Sequence, residues 1–171
     1  ALQARTFEAI EAIPGVLHAG SAAVTPLTGN NWTAPFERAD RPVPAGERPP
    51  DVGWQSATGG YFRALGIPLR GGRLFSAQDG PSAPPVVIIS ESIERQFFPG
   101  ESAVGRKVRI GKAEAEIVGV VGDIRRAALT DAPHADMYFP QEQVPGIGAT
   151  LFIRTSGEPT AILPQLRAAL R

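Results

Sequence analysis

The sequence predicts an α+β fold, and three observations carry that expectation. Val86-Val87-Ile88-Ile89 is a continuous apolar run bounded by Pro85 and Ser90, the pattern of a strand buried on both faces. Apolar and charged residues alternate on either side of the tight turn Gly111-Lys112, the pattern of a β-hairpin. Apolar residues recur at helical spacing near both ends of the chain. With 171 residues, 43% hydrophobic and 20% charged, the chain has the length and composition to build a core without staples, as one compact domain or two small lobes.

Taken in order, Leu2 to Ile13 carries Phe7, Ile10 and Ile13 on one helical face and stops at Pro14-Gly15. Val16 to Leu27 then has strand composition. From Thr28 to Pro50 the pattern loosens into Gly29-Asn30-Asn31, a short extended run from Trp32 to Arg38 and a proline-rich stretch, read as a hairpin-like excursion with a mobile tip. No element is assigned over 51–57. A second helix runs from Thr58 to Leu65 with Gly66 as its C-terminal glycine, followed by extended Ile67 to Leu69 and a closing Gly71-Gly72. After the Val86 strand, Glu91 to Phe98 is a short helix stopped by Pro99-Gly100. Val108 to Ile110 and Ala113 to Val121 form the hairpin, and Met137 to Phe139 and Leu151 to Ile153 are further strands. Glu158 to Arg171 reads as an amphipathic helix with Ile162, Leu163, Leu166 and Leu170 on one face. Helix-then-strand opens the chain and strand-then-helix closes it. The expected division is therefore residues 1–57 with 134–171 in one lobe and 58–133 in a second, smaller one. The abrupt ends, with no membrane span, leader or terminal cap, read as those of a piece excised from a larger protein.

The search for chemistry is negative in each class. Lys plus Arg and Asp plus Glu both number 17, so no net field draws the chain to nucleic acid. No cysteine is present, which excludes thiolate catalysis and cysteine-ligated zinc. His18 and His134 each stand alone, and no H-x-x-x-H or acidic calcium loop occurs, so no metal and no cofactor is expected. Gly59-Gly60 and Gly71-Gly72 lack the lysine and hydroxyl residue of a phosphate-binding loop. Asp123, at the end of an apolar strand, is expected to cap the next turn or pair with Arg125 or Arg126. Arg106, Lys107, Arg109 and Lys112 lie among Glu101, Glu114 and Glu116 without interleaved aromatics, which reads as a solvated strand face.

An ordered series of strings carries a further signal: GGYFRALGIPLRGGRLFSAQD from Gly59, APPVVIISESIERQFFPGESAVGRKVRIG from Ala83, EIVGVVGDIR from Glu116 and MYFPQ from Met137. With EAIPGVLHAGSAAVTPLTG from Glu11 and the closing LFIRTSGEPTAILPQLRAALR, the chain resembles, over nearly its whole length, the MacB-like periplasmic core domain of MacB/FtsX-type ABC-transporter permeases. The resemblance implies a porter-like βαβ lobe plus a smaller mixed α/β lobe, on the periplasmic face of the inner membrane as part of a membrane-embedded parent chain. It implies a non-catalytic role coupling cytoplasmic ATP hydrolysis to work or export outside the membrane. The implied partners are a cytoplasmic ABC ATPase, a second permease half or copy, and a periplasmic adaptor or lipoprotein. Gly66, Gly71 and Gly72 are expected in positive-φ turns, and Tyr61 and Phe62 packed on the sheet. A strand before the first helix and one after the last, which the family pattern includes, are absent from this sequence. The alternative readings are a ligand- or partner-binding module, with exposed Trp32, Phe36 and Trp54 as the contacts, and a small hydrolase or transferase built around Asp123, His134 or Ser90.

Overall fold

The computed structural model describes residues 2–26, 28, 32–124, 134–144 and 148–170. Helix α1 (Leu2–Glu11) leads through Gly15, at φ 91°, into strand β1 (Val16–Ala22). Two short strands, β2 (Thr33–Pro35) and β3 (Glu37–Arg38), precede β4 (Asp51–Ala57). Helix α2 (Gly59–Leu65) ends on left-handed Gly66 at φ 69°, a conformation that costs glycine least. Strand β5 (Leu69–Gly72), a 3₁₀ turn at Ala77–Asp79, β6 (Val86–Ser90) and helix α3 (Glu91–Phe97) follow. The hairpin β7 (Lys107–Ile110) and β8 (Ala113–Val121), then β9 (Asp136–Pro140), β10 (Thr150–Thr155), a second 3₁₀ turn (Pro159–Ile162) and α4 (Leu163–Ala169) complete the chain.

The strands form one mixed sheet in the order β10-β1-β4-β9-β6-β8-β7-β3. Pairs β4–β9 and β6–β8 are parallel and the others antiparallel. Strand β2 pairs with β4 through Thr33↔Gly53, Ala34↔Val52 and Pro35↔Asp51, while β3 pairs with β7 through Glu37↔Arg109 and Arg38↔Val108. Phe36 alone separates β2 from β3. The segment therefore closes β4, β9, β6, β8 and β7 into a barrel, which satisfies edge groups that an open sheet would leave unpaired. The excursion expected at 28–50 is thus not a hairpin on itself: its two extended pieces pair with different, distant strands.

Side-chain alternation divides the barrel's inside from its outside. Phe36, Val52, Val87, Ile89, Val108, Ile117 and Met137 share one buried cluster, plugged by Ile93 and Phe98. Alternate residues Ala57, Val86, Ile88, Val118 and Tyr138 point the other way and pack with Tyr61, Phe62 and Phe75. Strand β6 is buried at all five positions because it lies between these layers, as its uninterrupted apolar run requires. Helix α2 packs on β1 and β10, with the Tyr61 ring 5.2 Å from Phe152 and nearly perpendicular to it.

The ranges 1–57 with 134–171 and 58–133 both contribute to the barrel: β2, β3, β4 and β9 come from the first, β6, β7 and β8 from the second. Strand β4 had no counterpart in the sequence reading, since Gly53 and Ser56 interrupt its alternation. The closing helix is also shorter than expected. Pro164 lacks the N–H that a continuous helix from 158 needs, so the segment starts as a 3₁₀ turn and α4 begins at Leu163. Of its expected apolar face Ile162 is buried, whereas Leu163 and Leu170 are 42% and 54% exposed.

Candidate functional site

The aromatic residues predicted as contacts gather on one part of the barrel. Ala34 on β2 alternates with Trp32 and Phe36, which flank that strand, Trp54 follows Val52 on β4, and Phe139 follows Met137 on β9. Ala34, Phe36, Val52, Trp54, Met137 and Phe139 pack on the inward cluster, and the three rows run toward one end of the barrel, where Trp32 stands opposite Trp54. There Trp32 and Trp54 lie with ring centroids 5.5 Å apart, and Trp54 meets Phe139 edge-on at 6.0 Å. Trp32 is 37% exposed and Trp54 half-buried. Phe36 does not belong to this surface: it is 1% exposed, with its ring 4.5 Å from Phe97 inside the core, so the expectation of an exposed Phe36 is corrected. It lies on the same face as Trp32 but two same-face positions further along the strand, where the core covers it.

Beside Phe36 lies a charge cluster that sequence reasoning did not single out. Arg38 is 5% exposed yet has every side of its guanidinium engaged. Its Nε and Nη2 donate to the two carboxylate oxygens of Asp40 at 2.8 and 2.7 Å, and Nη1 donates to Glu101 Oε1 and to the Phe97 carbonyl, both at 2.7 Å. The guanidinium carbon sits 4.3 Å from the centroid of the Phe98 ring. Arg106 closes the outer side, donating to Glu101 Oε2 at 2.9 Å. The Arg38 hydrogen bonds hold the Asp40 carboxyl at about 2 and also keep Glu101 below the usual carboxylate range. Such bidentate, charge-assisted bonds let a buried cation offset its desolvation. Asp40 is only two residues from Arg38, in the bend that follows β3. Glu101 is 63 residues away.

A cleft of about 420 Å³ opens between α1, α2, the 75–79 turn and the end of β9, lined among others by Phe7, Glu11, Arg63, Phe75, Asp79 and Glu142. It forms because glycines let β1 and α2 touch through backbone: a Cβ on Gly60 would lie 1.8 Å from the Ala19 carbonyl oxygen, and one on Gly20 2.0 Å from the Tyr61 nitrogen. Several of its polar groups are committed to structure. Glu11 accepts from the Ala19 amide at 3.2 Å, Ser21 Oγ bonds the Gln141 side chain, and Asp79 takes both ends of the Arg73 guanidinium at 2.7 and 2.8 Å. Burial pushes the Asp79 carboxyl up, but the bonds from Arg73 and the Ser76 amide outweigh it, so Asp79 titrates below its ordinary value.

The candidate catalytic residues do not converge. Ser90 is fully buried and its hydroxyl accepts from the Asp136 amide at 3.0 Å. Asp123 accepts from the Ser92 amide and hydroxyl, both at 2.8 Å, and from Arg95 at 2.7 Å. It thus caps α3 from across the sheet; the arginine it pairs with is Arg95, while Arg125 and Arg126 lie outside the described residues. His18 faces Arg154 across the β1–β10 register, and the His134 amide donates to the Ile124 carbonyl at 3.4 Å. Among the described residues no three His, Cys, Asp or Glu gather as metal ligands. Arg106, Lys107 and Arg109 each pair with a carboxylate, of Glu101, Glu114 and Glu37. Gly66 and Gly72 have positive φ as expected; Gly71 does not, being an ordinary strand residue of β5.

The description MacB-like periplasmic core domain matches residues 2–171, essentially the whole chain. The chain belongs to that family. The probable export ATP-binding/permease protein MacB of Pseudomonas entomophila (strain L48) is 31% identical over 102 residues, 59% of this chain and 14% of that protein. The macrolide export ATP-binding/permease protein MacB of Aggregatibacter actinomycetemcomitans is 33% identical over 63 residues, 37% of this chain and 10% of that protein. This chain therefore spans a small fraction of the curated relatives it matches. The crystal structure of the periplasmic region of MacB from Actinobacillus actinomycetemcomitans superposes with a TM-score of 0.65 at 17% identity, over 96% of this chain and 71% of that one, a likeness of fold. By that family the chain is a periplasmic core domain.

Proposed function

We propose that this MacB-like domain transmits work: cytoplasmic ATP hydrolysis moves the membrane part of the parent permease, and the domain carries that motion to export or release on the outer side without chemistry of its own. Its family membership carries the reading. The folded core agrees with it, since a sheet buried on both faces resists deformation and passes displacement on. The partners this implies are a cytoplasmic ABC ATPase, a second permease half or copy, and a periplasmic adaptor or lipoprotein. We also place the boundary between the two lobes of the family pattern within β4 and β9: the β1–β10 layer with α1, α2 and α4 on one side, and the barrel on the other. The test is a reconstituted parent transporter with this domain deleted. ATP hydrolysis that continues while export stops is the expected result; export that persists at its normal rate sinks the coupling role.

A second reading is favoured by one observation, the half-exposed Trp32–Trp54–Phe139 cluster at the barrel end. Partly exposed aromatics of this kind anchor protein contacts. Replacing Trp32 by Ser should weaken binding of a purified periplasmic partner without changing the fold, and unchanged binding removes the cluster from consideration.

A further inference from the structure

The path of residues 33–50 is unusual in what it joins. Strand β2 holds β4, β3 holds β7 at the far end of the sheet order, and the Phe36 amide donates to the Pro50 carbonyl at 2.8 Å between them. Without this segment β4 and β7 are four strand pairings apart, through β9, β6 and β8. The second link in that path, β9–β6, is antiparallel and has two registered pairs, Ile88↔Tyr138 and Ile89↔Met137, with the Asp136 amide donating to Ser90 Oγ at 3.0 Å beside them. The backbone closure at β3–β7 is equally brief, with two registered pairs and the Ala39 amide donating to the Lys107 carbonyl at 2.9 Å. So short a pairing holds poorly by backbone alone.

Side chains supply the rest. Arg38 ties the segment to Asp40 within it, to Glu101, and to the carbonyl of Phe97 at the end of α3. On the opposite face of β3, Glu37 bonds Arg109 at 3.2 Å and the Val43 amide at 2.8 Å. Phe36, just before β3, seats in the core with its ring 4.5 Å from that of Phe97.

We propose that residues 33–50 are a strap that closes the barrel, with Arg38 as its latch, and that the latch decides whether the β10–β1–β4–β9 part and the β6–β8–β7 part of the sheet move as one body. With the strap fastened, a push on one part is passed to the other. With it released, the parts hinge at the β9–β6 seam. The inference concerns the chain itself and does not depend on the transport reading, so it stands or falls without a transporter.

The test uses Arg38→Gln, with amide exchange followed residue by residue by NMR. Exchange of the Phe36 and Ala39 amides is expected to rise about tenfold or more while β1 and β10 keep their protection, because local opening exposes only the strap. The chain has no native cysteine, so spin labels at Leu17→Cys, the exposed position of β1, and Lys112→Cys, in the β7–β8 turn, report the distance between the two parts. Their distance distribution should broaden in Arg38→Gln. If Arg38→Gln does not fold, Asp40→Asn and Glu101→Gln carry the same measurements. A uniform rise in exchange overturns the proposal, since Arg38 then only supports global stability. Faster strap exchange with an unchanged distance distribution also overturns it, as does the absence of any change.

Discussion

Gly60 illustrates what a single residue decides here. Its missing side chain brings α2 onto the backbone of β1, and a methyl group there would strike the Ala19 carbonyl rather than a flexible side chain. Gly60→Ala should therefore destabilise the domain by about 3 kcal/mol, the upper end for overpacking, whereas Gly157→Ala, in open space, should stay within about 0.5 kcal/mol; urea midpoints compare the two. The carboxylates of the latch make a second residue-scale prediction. Asp40 titrates at about 2 and Glu101 is also lowered, in both cases through the bond to Arg38. A folded-state value below the unfolded one means the unfolded chain takes up protons first, so the contribution is complete above about pH 4 and is lost as pH falls from there toward 2. Thermal midpoints measured from pH 6 to 2 should fall along this window, and Asp40→Asn should flatten the slope.

At the scale of elements, α3 depends on a residue outside it. Asp123 caps its first turn through the Ser92 amide and is held by Arg95; burial raises its carboxyl, but the Arg95 and Ser92 bonds outweigh that and keep it ionised. Asp123→Ala should cost about 1–2 kcal/mol, the range of a lost N-cap, and speed amide exchange in α3 before other elements. The two residues that flank β2 lie on the same face but have opposite fates, Phe36 at 1% exposure and Trp32 at 37%. Phe36→Ala should cost about 3–5 kcal/mol as a large buried-to-small change, while Trp32→Ala should cost about 1 kcal/mol or less, both read from denaturant unfolding. The sequence marked all three aromatics Trp32, Phe36 and Trp54 as surface candidates, because its pattern shows which residues share a face but not how far along that face the core extends.

For the whole molecule, the layering predicts where stability resides. Strands β6 and β9 lie between two apolar clusters and should hold the slowest-exchanging amides. Strand β10, paired on one side only among the described residues, should exchange faster along its free edge, and hydrogen exchange on the intact chain reads both. If β10 proved as protected as β6, the core would extend beyond the two clusters described.

Local signals were enough for much of this protein. The β6 run, the β7–β8 hairpin, the left-handed Gly66 and the order of strings that marks the family are set by short-range chemistry: apolar continuity, turn residues and positive φ are properties of neighbours along the chain. Barrel closure, the Arg38–Glu101 pair, the burial of Phe36 and the capping of α3 by Asp123 were decided only in three dimensions. Each joins residues dozens of positions apart, and a pairing between distant strands is chosen by the shape of the core they enclose, which no local pattern encodes.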